Sequence, residues 1–230
     1  MNSFTLDNNI NSRSNLGLRV TEPPIIPPSK RVIDSIAVDG REGTLTILKG
    51  WEDVAFALKA ALIGANLHSR YREILPTILN AKTIYFSGDS GVYYNIKFAE
   101  AGALERKLTS LYEFSLTFTC APFRYIRNVS AVSMTASGNI TNPGTVYSLP
   151  KITVYGTGSR TLTINGKPII LNILSGNLVI DSELRTCHFG NVAQNNQMNG
   201  DFPVLNVGGN TITLGTGITR IEVEPRWRHL

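Results

Sequence analysis

The stretch LYEFSLTFTCAPFRY, Leu111–Tyr125, decides how the rest of the chain is read. Phe114, Leu116, Phe118 and Cys120 fall on one side of an alternating pattern, and Glu113, Ser115, Thr117 and Thr119 on the other. A period of two with one apolar side is the mark of a β-strand packed on a core through one face. Cys120 closes the apolar side and Pro122 follows it, which predicts a turn there. The question is whether Cys120 is a nucleophile, half of a disulfide, or a core residue. A nucleophilic thiol needs a base within reach and a lowered pKa. Two phenylalanines on the same face oppose the thiolate, so Cys120 reads as core.

Outward from this strand the same texture recurs. Segments KTIYFS and GVYYNIKF read as strands, and REGTLTILKG is a strand bounded by glycines. VDGREG, Val38–Gly43, lacks the GK[ST] ending and the following helix of a phosphate loop, so it reads as a turn. EPPIIPPSKR, Glu22–Arg31, carries four prolines and must be an extended arm. In WEDVAFALKAALIGANL the alternation of Val54, Phe56 and Leu58 suits a strand, while its alanines and leucines suit a helix. SRYREILPTIL is helical: Tyr71, Ile74, Leu75, Ile78 and Leu79 form an amphipathic stripe, with Ser69 as candidate N-cap and Pro76 expected to kink or end it.

Beyond Arg127 the residues become small and polar, which predicts a connection between two domains. Short strands with turn signals then follow every eight to twelve residues: PKITVYG, RTLTING, PIILNI, GNLVID, LRTCHFG, TITLG and ITRIEVE. Asn165-Gly166 and Gly217 supply the positive φ such turns need. The predicted organisation is an N-terminal domain over 1–130, a connection over 131–138 and a C-terminal β-sandwich over 139–230.

The totals narrow the function. The chain has 230 residues, 42% of them apolar, enough for a sizeable core. Charged residues are 17%, below the roughly 25% of an ordinary globular chain. A chain short of charge and rich in Gly, Ser, Thr and Asn suits a molecule whose surface is covered in an assembly. The net charge of +5 is scattered and forms no basic stripe, which argues against nucleic acid as partner. The apolar runs ALIGA and PIILNIL are too short to span a bilayer, and the first twenty residues lack the apolar run of a secretory signal. Synthesis in a cytoplasm is expected, so the NVS and NIT triplets read as chance.

Two cysteines, Cys120 and Cys187, make no disulfide framework and read as buried thiols. Cys187 and His188 are neighbours on a strand and point to opposite faces. His68, His188 and His229 show no metal-ligand spacing. No catalytic residue, metal ligand or cofactor site is expected. For sugar or partner contact, Tyr155 is a candidate because Ile152 and Val154 face the core and leave it outward. Trp227, flanked by Arg226 and Arg228, is the other.

Taken in order, these stretches resemble the distal tail protein of siphophages, phages with long non-contractile tails. The proline arm with RVIDSIAVDGREGTL is similar to that family's P…P-x-R…V-x-G-R-x-G opening. KGWEDVAFALKAALIG, YREILPTIL and KTIYFSGDSGVYYNIKF follow, and YEFSLTFTCAPFRY resembles the F-x-V-x-F-x-C-x-P-F-x-Y strand ending the N-terminal domain. NPGTVYSLPKITVYGTGSRTLTING with DFPVLNVGGNTITLGTGITRIEVEPRWRHL is similar to the C-terminal sandwich and its closing W-R. The resemblance covers nearly the whole chain and supports the strand over DVAFALKAALIG.

It implies a mainly β fold of two β-sandwich-like domains, the first with a short α-helix and an extended arm, the second galectin-like or jelly-roll-like. It implies a structural, non-enzymatic virion protein, made in the bacterial host's cytoplasm, that forms a hexameric ring with copies of itself. That ring joins the tail tube protein to the tail-associated hub protein and can anchor a receptor-binding protein. A lectin-like module on the host cell wall is the alternative; a tail-tube subunit fits less well, because every stacked ring would then carry a second sandwich.

Overall fold

The computed structural model describes residues 3–230 and is mainly β, with a single α-helix, Leu67–Leu79, among the described residues. It divides into two compact units, Met1–Arg127 with Leu230, and Asn128–His229.

The first unit is built on one antiparallel sheet. Its strands run in the order Ile10–Asn11, Phe4–Leu6, Thr83–Phe86, Asp89–Ala101, Leu111–Ile126, Val54–Ile63, Leu18–Glu22. The opening strand, Leu111–Ile126, is its centre. Ten consecutive residues pair with Val54–Ile63, from Leu111 opposite Ile63 to Cys120 opposite Val54. This ladder overrides the helix propensity of the alanines and leucines, because only the extended form aligns Val54, Phe56, Leu58, Ala60 and Leu62 with the core. Phe114, Leu116, Phe118 and Cys120 are buried in that same core. Phe56 meets Phe86 and Tyr94 edge-on, with ring centroids 5.6 Å apart in both pairs.

Pro122 does not turn the chain. The strand runs through it to Ile126, and its pairing with Asp89–Ala101 is irregular between Thr119 and Arg124. A bulge accommodates proline because the residues inside it make no regular ladder bond. Phe123 and Tyr125 lie buried beyond it.

Leu67, Ile74 and Ile78 set the helix against the sheet's apolar face. Ser69 is not its N-cap. The helix begins after Asn66, a left-handed residue that makes no side-chain cap, and the Ser69 hydroxyl bonds to Glu73 Oε1 at 3.1 Å. Pro76 does not end the helix, which continues to Leu79. Asn80 then closes it, its backbone N–H and side-chain amide both donating to the Pro76 carbonyl.

The second unit has two antiparallel sheets. One is ordered Val132–Met134, Ile218–Glu224, Lys151–Gly156, Asn177–Asp181, Thr186–Phe189, Val192–Ala193. The other is ordered Gly138–Asn142, Gly208–Leu214, Gly158–Ile164, Lys167–Ile173, Met198–Asn199. Ile152, Val154, Ile180 and Ile221 from the first and Leu162, Leu171 and Ile212 from the second are fully buried, which makes the unit sandwich-like. Residues 131–138, read from sequence as a connection, include the edge strand Val132–Met134 paired with Ile221–Val223. An edge strand needs few large side chains, so composition alone does not mark one. The Asn165-Gly166 turn has φ of 52° and 77°, positive at both central positions as a tight hairpin requires.

Candidate assembly interface

Strands Arg31–Ala37 and Thr44–Trp51 form a two-stranded sheet of their own. The pairing runs from Arg31 opposite Trp51 to Ala37 opposite Thr44, and residues 38–43 make the tip. The base is anchored: Trp51 meets Phe123 edge-on at 6.1 Å, and the Arg31 guanidinium lies 4.0 Å from the Trp51 ring centre. The remainder stands open. Ile33, Ile36, Val38, Leu45, Ile47 and Leu48 are 42–61% exposed.

Both faces of this hairpin carry exposed aliphatic side chains. Ile36, Leu45 and Ile47 share one, and Ile33 and Leu48, direct partners, share the other. A solitary hairpin is marginal in water, and a soluble monomer rarely clusters aliphatic side chains this way. The ion pair Lys49–Asp34, 2.5 Å long and more than two-fifths exposed, adds little to its stability. Covering the six side chains would remove the remaining half of their surface from water. At ~1 kcal/mol for each half-covered side chain, that amounts to about 6 kcal/mol.

The arm precedes the hairpin. Residues 23–30 form neither helix nor strand. Ile25 is 90% exposed, Ile26 packs against the core, and the Ser29 hydroxyl donates to the Pro122 carbonyl. Two small cavities lie along it, lined by Pro23, Pro24, Ile26, Phe86 and Tyr94 in one and by Pro27, Pro28, Tyr94 and Arg124 in the other.

The residues selected from sequence for sugar or partner contact have diverse surroundings. Tyr155 is half-buried; its hydroxyl donates to Glu222 Oε2 at 3.1 Å, and Arg220 lies 4.2 Å from its ring centre. Trp227 is buried, 6% exposed. Arg228 is buried too, with Nε donating to the Tyr147 carbonyl at 2.8 Å. Arg226 is half-buried and grips Asp181 with two hydrogen bonds of 2.7 and 2.8 Å. Burial works against the Asp181 carboxylate, yet Arg226 and the amides of Leu184 and Glu183 hold its pKa below the ordinary value. Tyr155 and Arg226 keep part of their side chains open; Trp227 and Arg228 do not.

Cys120 and Cys187 are both free and fully buried. Burial pushes the Cys120 thiol up to about 12, with Asp53 adding to it, and the Cys187 thiol up to about 11. His188 Nδ1 lies 2.8 Å from the Gly190 carbonyl oxygen, and His68 meets Tyr112 edge-on. Among the described residues, no group of three or more His, Cys, Asp or Glu could hold a metal ion. No helix among them is long and apolar enough to cross a membrane.

Sequence reasoning identified the strand Thr44–Trp51 but not its isolation, because nothing local states which neighbours a strand will lack. The signal available was the alternating TLTILKG directly after RVIDSIA with only a turn between them.

No protein-family model matches the chain, and no curated protein matches it by sequence. Solved structures do match. The Dit protein (gp 19.1) of phage SPP1, a paradigm of hub adsorption apparatus in phages infecting Gram-positive bacteria, aligns with a TM-score of 0.66 at 17% identity. The alignment covers 97% of this chain and 98% of that one. Chains from the phage P2 baseplate in its activated conformation, with Ca and with Sr, align at TM-scores of 0.49 and 0.47 and identities of 11% and 9%. Each covers 97% of both chains. With both units and their order reproduced in one alignment, the chain has the fold of a phage distal tail protein.

Proposed function

We propose that this chain is a structural, non-enzymatic protein of the phage virion, forming a hexameric ring at the distal end of a long non-contractile tail. The ring joins the tail tube protein to the tail-tip hub protein and offers a platform for the receptor-binding apparatus; the protein is made in the cytoplasm of the bacterial host. The observation that carries this reading is the match to Dit over essentially the whole of both chains. The open hairpin supports self-association independently. A head-to-tail contact repeated by a fixed rotation closes into a ring, and a hairpin that leaves its aliphatic side chains uncovered suits such a contact.

Light scattering on the size-separated protein tests the reading. Six copies of the 25.2 kDa chain give about 151 kDa, and two stacked rings give double that mass. A protein that stays at the mass of one chain at high concentration, and forms no ring when tail tube and hub proteins are supplied, overturns it. Contacts with a further partner protein at the second unit fall in this reading to Tyr155 and Arg226, the two selected residues with open surface. Tyr155→Phe and Tyr155→Ala separate loss of its hydroxyl from loss of its ring.

A further inference from the structure

The two outer faces of the second unit differ in chemistry. On the sheet containing Lys151–Gly156 and Ile218–Glu224 the outward residues are charged and engage one another: Lys151 with Glu224, Arg220 and Tyr155 with Glu222. On the opposite sheet the outward positions carry no charge at all. Thr141, Thr211, Thr213, Thr161 and Thr163 occupy them on three adjacent strands, and Thr163 lies directly opposite Thr213. Asn139, Ser159, Asn172 and Asn199 extend the array, and Ile170 is its one large aliphatic. The charged residues of these strands, Arg160 and Lys167, sit at positions of the other parity.

Asn172 is engaged, its Nδ2 donating to Gln197 Oε1 at 2.7 Å, but the threonines are not. None of the five threonine hydroxyls hydrogen-bonds to another described residue, and four of the five threonines are exposed, Thr163 being half-buried. β-Branched side chains are held by the strand in few rotamers, so these hydroxyls lose little entropy when bound. Hydroxyls and amides are far cheaper to desolvate than charges. The face lacks the aromatic, methionine and arginine anchors that dominate protein–protein contacts, and lacks the cations a phosphate-bearing polymer requires.

We propose that this threonine–asparagine face binds a neutral polysaccharide, a ligand that matches it in charge and presents hydroxyls as both donors and acceptors. The proposal goes beyond ring assembly and does not rest on it. It also places sugar binding away from Tyr155 and Trp227.

The test uses the full chain and measures retention on immobilised neutral polysaccharides (a glucan, a galactan and a mannan) and on an acidic one, polygalacturonate. Saturable binding to at least one neutral polymer is expected, undiminished at about 0.5 M salt, where charge-driven attraction is screened. Thr161→Val with Thr211→Val keeps the shape and strand preference of both sites, and is expected to weaken binding about tenfold or more while leaving the thermal melt in place. Four outcomes each overturn the proposal: no neutral polymer retained, equal retention of the acidic polymer, binding untouched by the double variant, or Thr211→Lys lowering the mass of the assembled protein with no glycan bound. In the last case the face holds a second copy of the chain.

Discussion

Replacing Ile36 and Ile47 together with serine isolates what the open hairpin does. The two residues share one face and are 45% and 42% exposed in the single chain. Full burial of an isoleucine is worth about 1.5–3 kcal/mol, so the portion still open can contribute ~1 kcal/mol per residue when a neighbour covers it. The double variant therefore loses ~2 kcal/mol at every subunit contact, roughly a 30-fold rise in that contact's dissociation constant. Within one chain the covered part of each side chain is lost as well, which costs about 1 kcal/mol each. For a protein of this size the melting temperature should then move by several degrees. The assay pairs light scattering across a dilution series with thermal melting of the same samples. The expected result is assembly shifted to higher concentration with a melt lowered by no more than those several degrees. A melt lowered by about 10 °C with assembly unchanged would refute the reasoning, because the hairpin would then be packing within its own chain.

Other substitutions probe the remaining claims. Arg226→Ala strands the buried Asp181 carboxylate and should cost about 3 kcal/mol, read by urea denaturation. Because Asp181 titrates below its ordinary value when folded, its contribution is present above the unfolded carboxylate range and fades as the pH falls through the folded pKa; Arg226→Ala should flatten that acid limb. Cys120 has the opposite sense. Its thiol rises from 9.0 to about 12 on folding, so stability should decline as the pH climbs from 9 towards 12, and Cys120→Ala should shrink that decline. Neither cysteine should react with a thiol reagent at pH 8 until denaturant is added. Gly144→Ala would place a Cβ 2.2 Å from the Arg228 carbonyl oxygen, a backbone clash expected to cost several degrees of melting temperature.

Much of the fold was legible because alternation survives translation into structure. Seven strands of the second unit stand where their patterns lie, and Val54–Ile63 is a strand despite its alanines. What the sequence concealed is pairing and exception. Pro122 reads as a stop because proline lacks an N–H, but that rule concerns regular ladders, and the chain bulges at this point. Ser69 reads as a cap because serine favours that position; the chain starts its helix one turn earlier, where Asn66 adopts a left-handed conformation open to few residues. Trp227, near the end of the sequence and flanked by arginines, reads equally as a contact plate or as a docked side chain, and its ring is buried. The threonine face was hidden for another reason: its members come from three strands as distant in sequence as those of Thr141 and Thr213, and only register aligns them.

The shortage of charge noted from composition has a location. A water-facing sheet ordinarily carries charges of both signs, as the outer face with Lys151, Arg220, Glu222 and Glu224 does. Two exposed surfaces depart from this: the distal hairpin, whose strands set Ile33, Ile36, Leu45, Ile47 and Leu48 around one ion pair, Lys49–Asp34, and the threonine face, whose outward positions carry no charge. Their chemistry differs in a way that separates their roles. Aliphatic side chains gain by leaving water whatever covers them, which suits a permanent contact buried once during assembly. Uncommitted hydroxyls gain little unless the partner returns each hydrogen bond taken from water, which suits a reversible, specific ligand. The same contrast predicts their response to solvent. Cooling should weaken the hairpin contact, since apolar burial near room temperature is driven by entropy, whereas binding through the hydroxyls should hold or strengthen. If both contacts weakened in parallel on cooling, the two surfaces could not be doing different jobs.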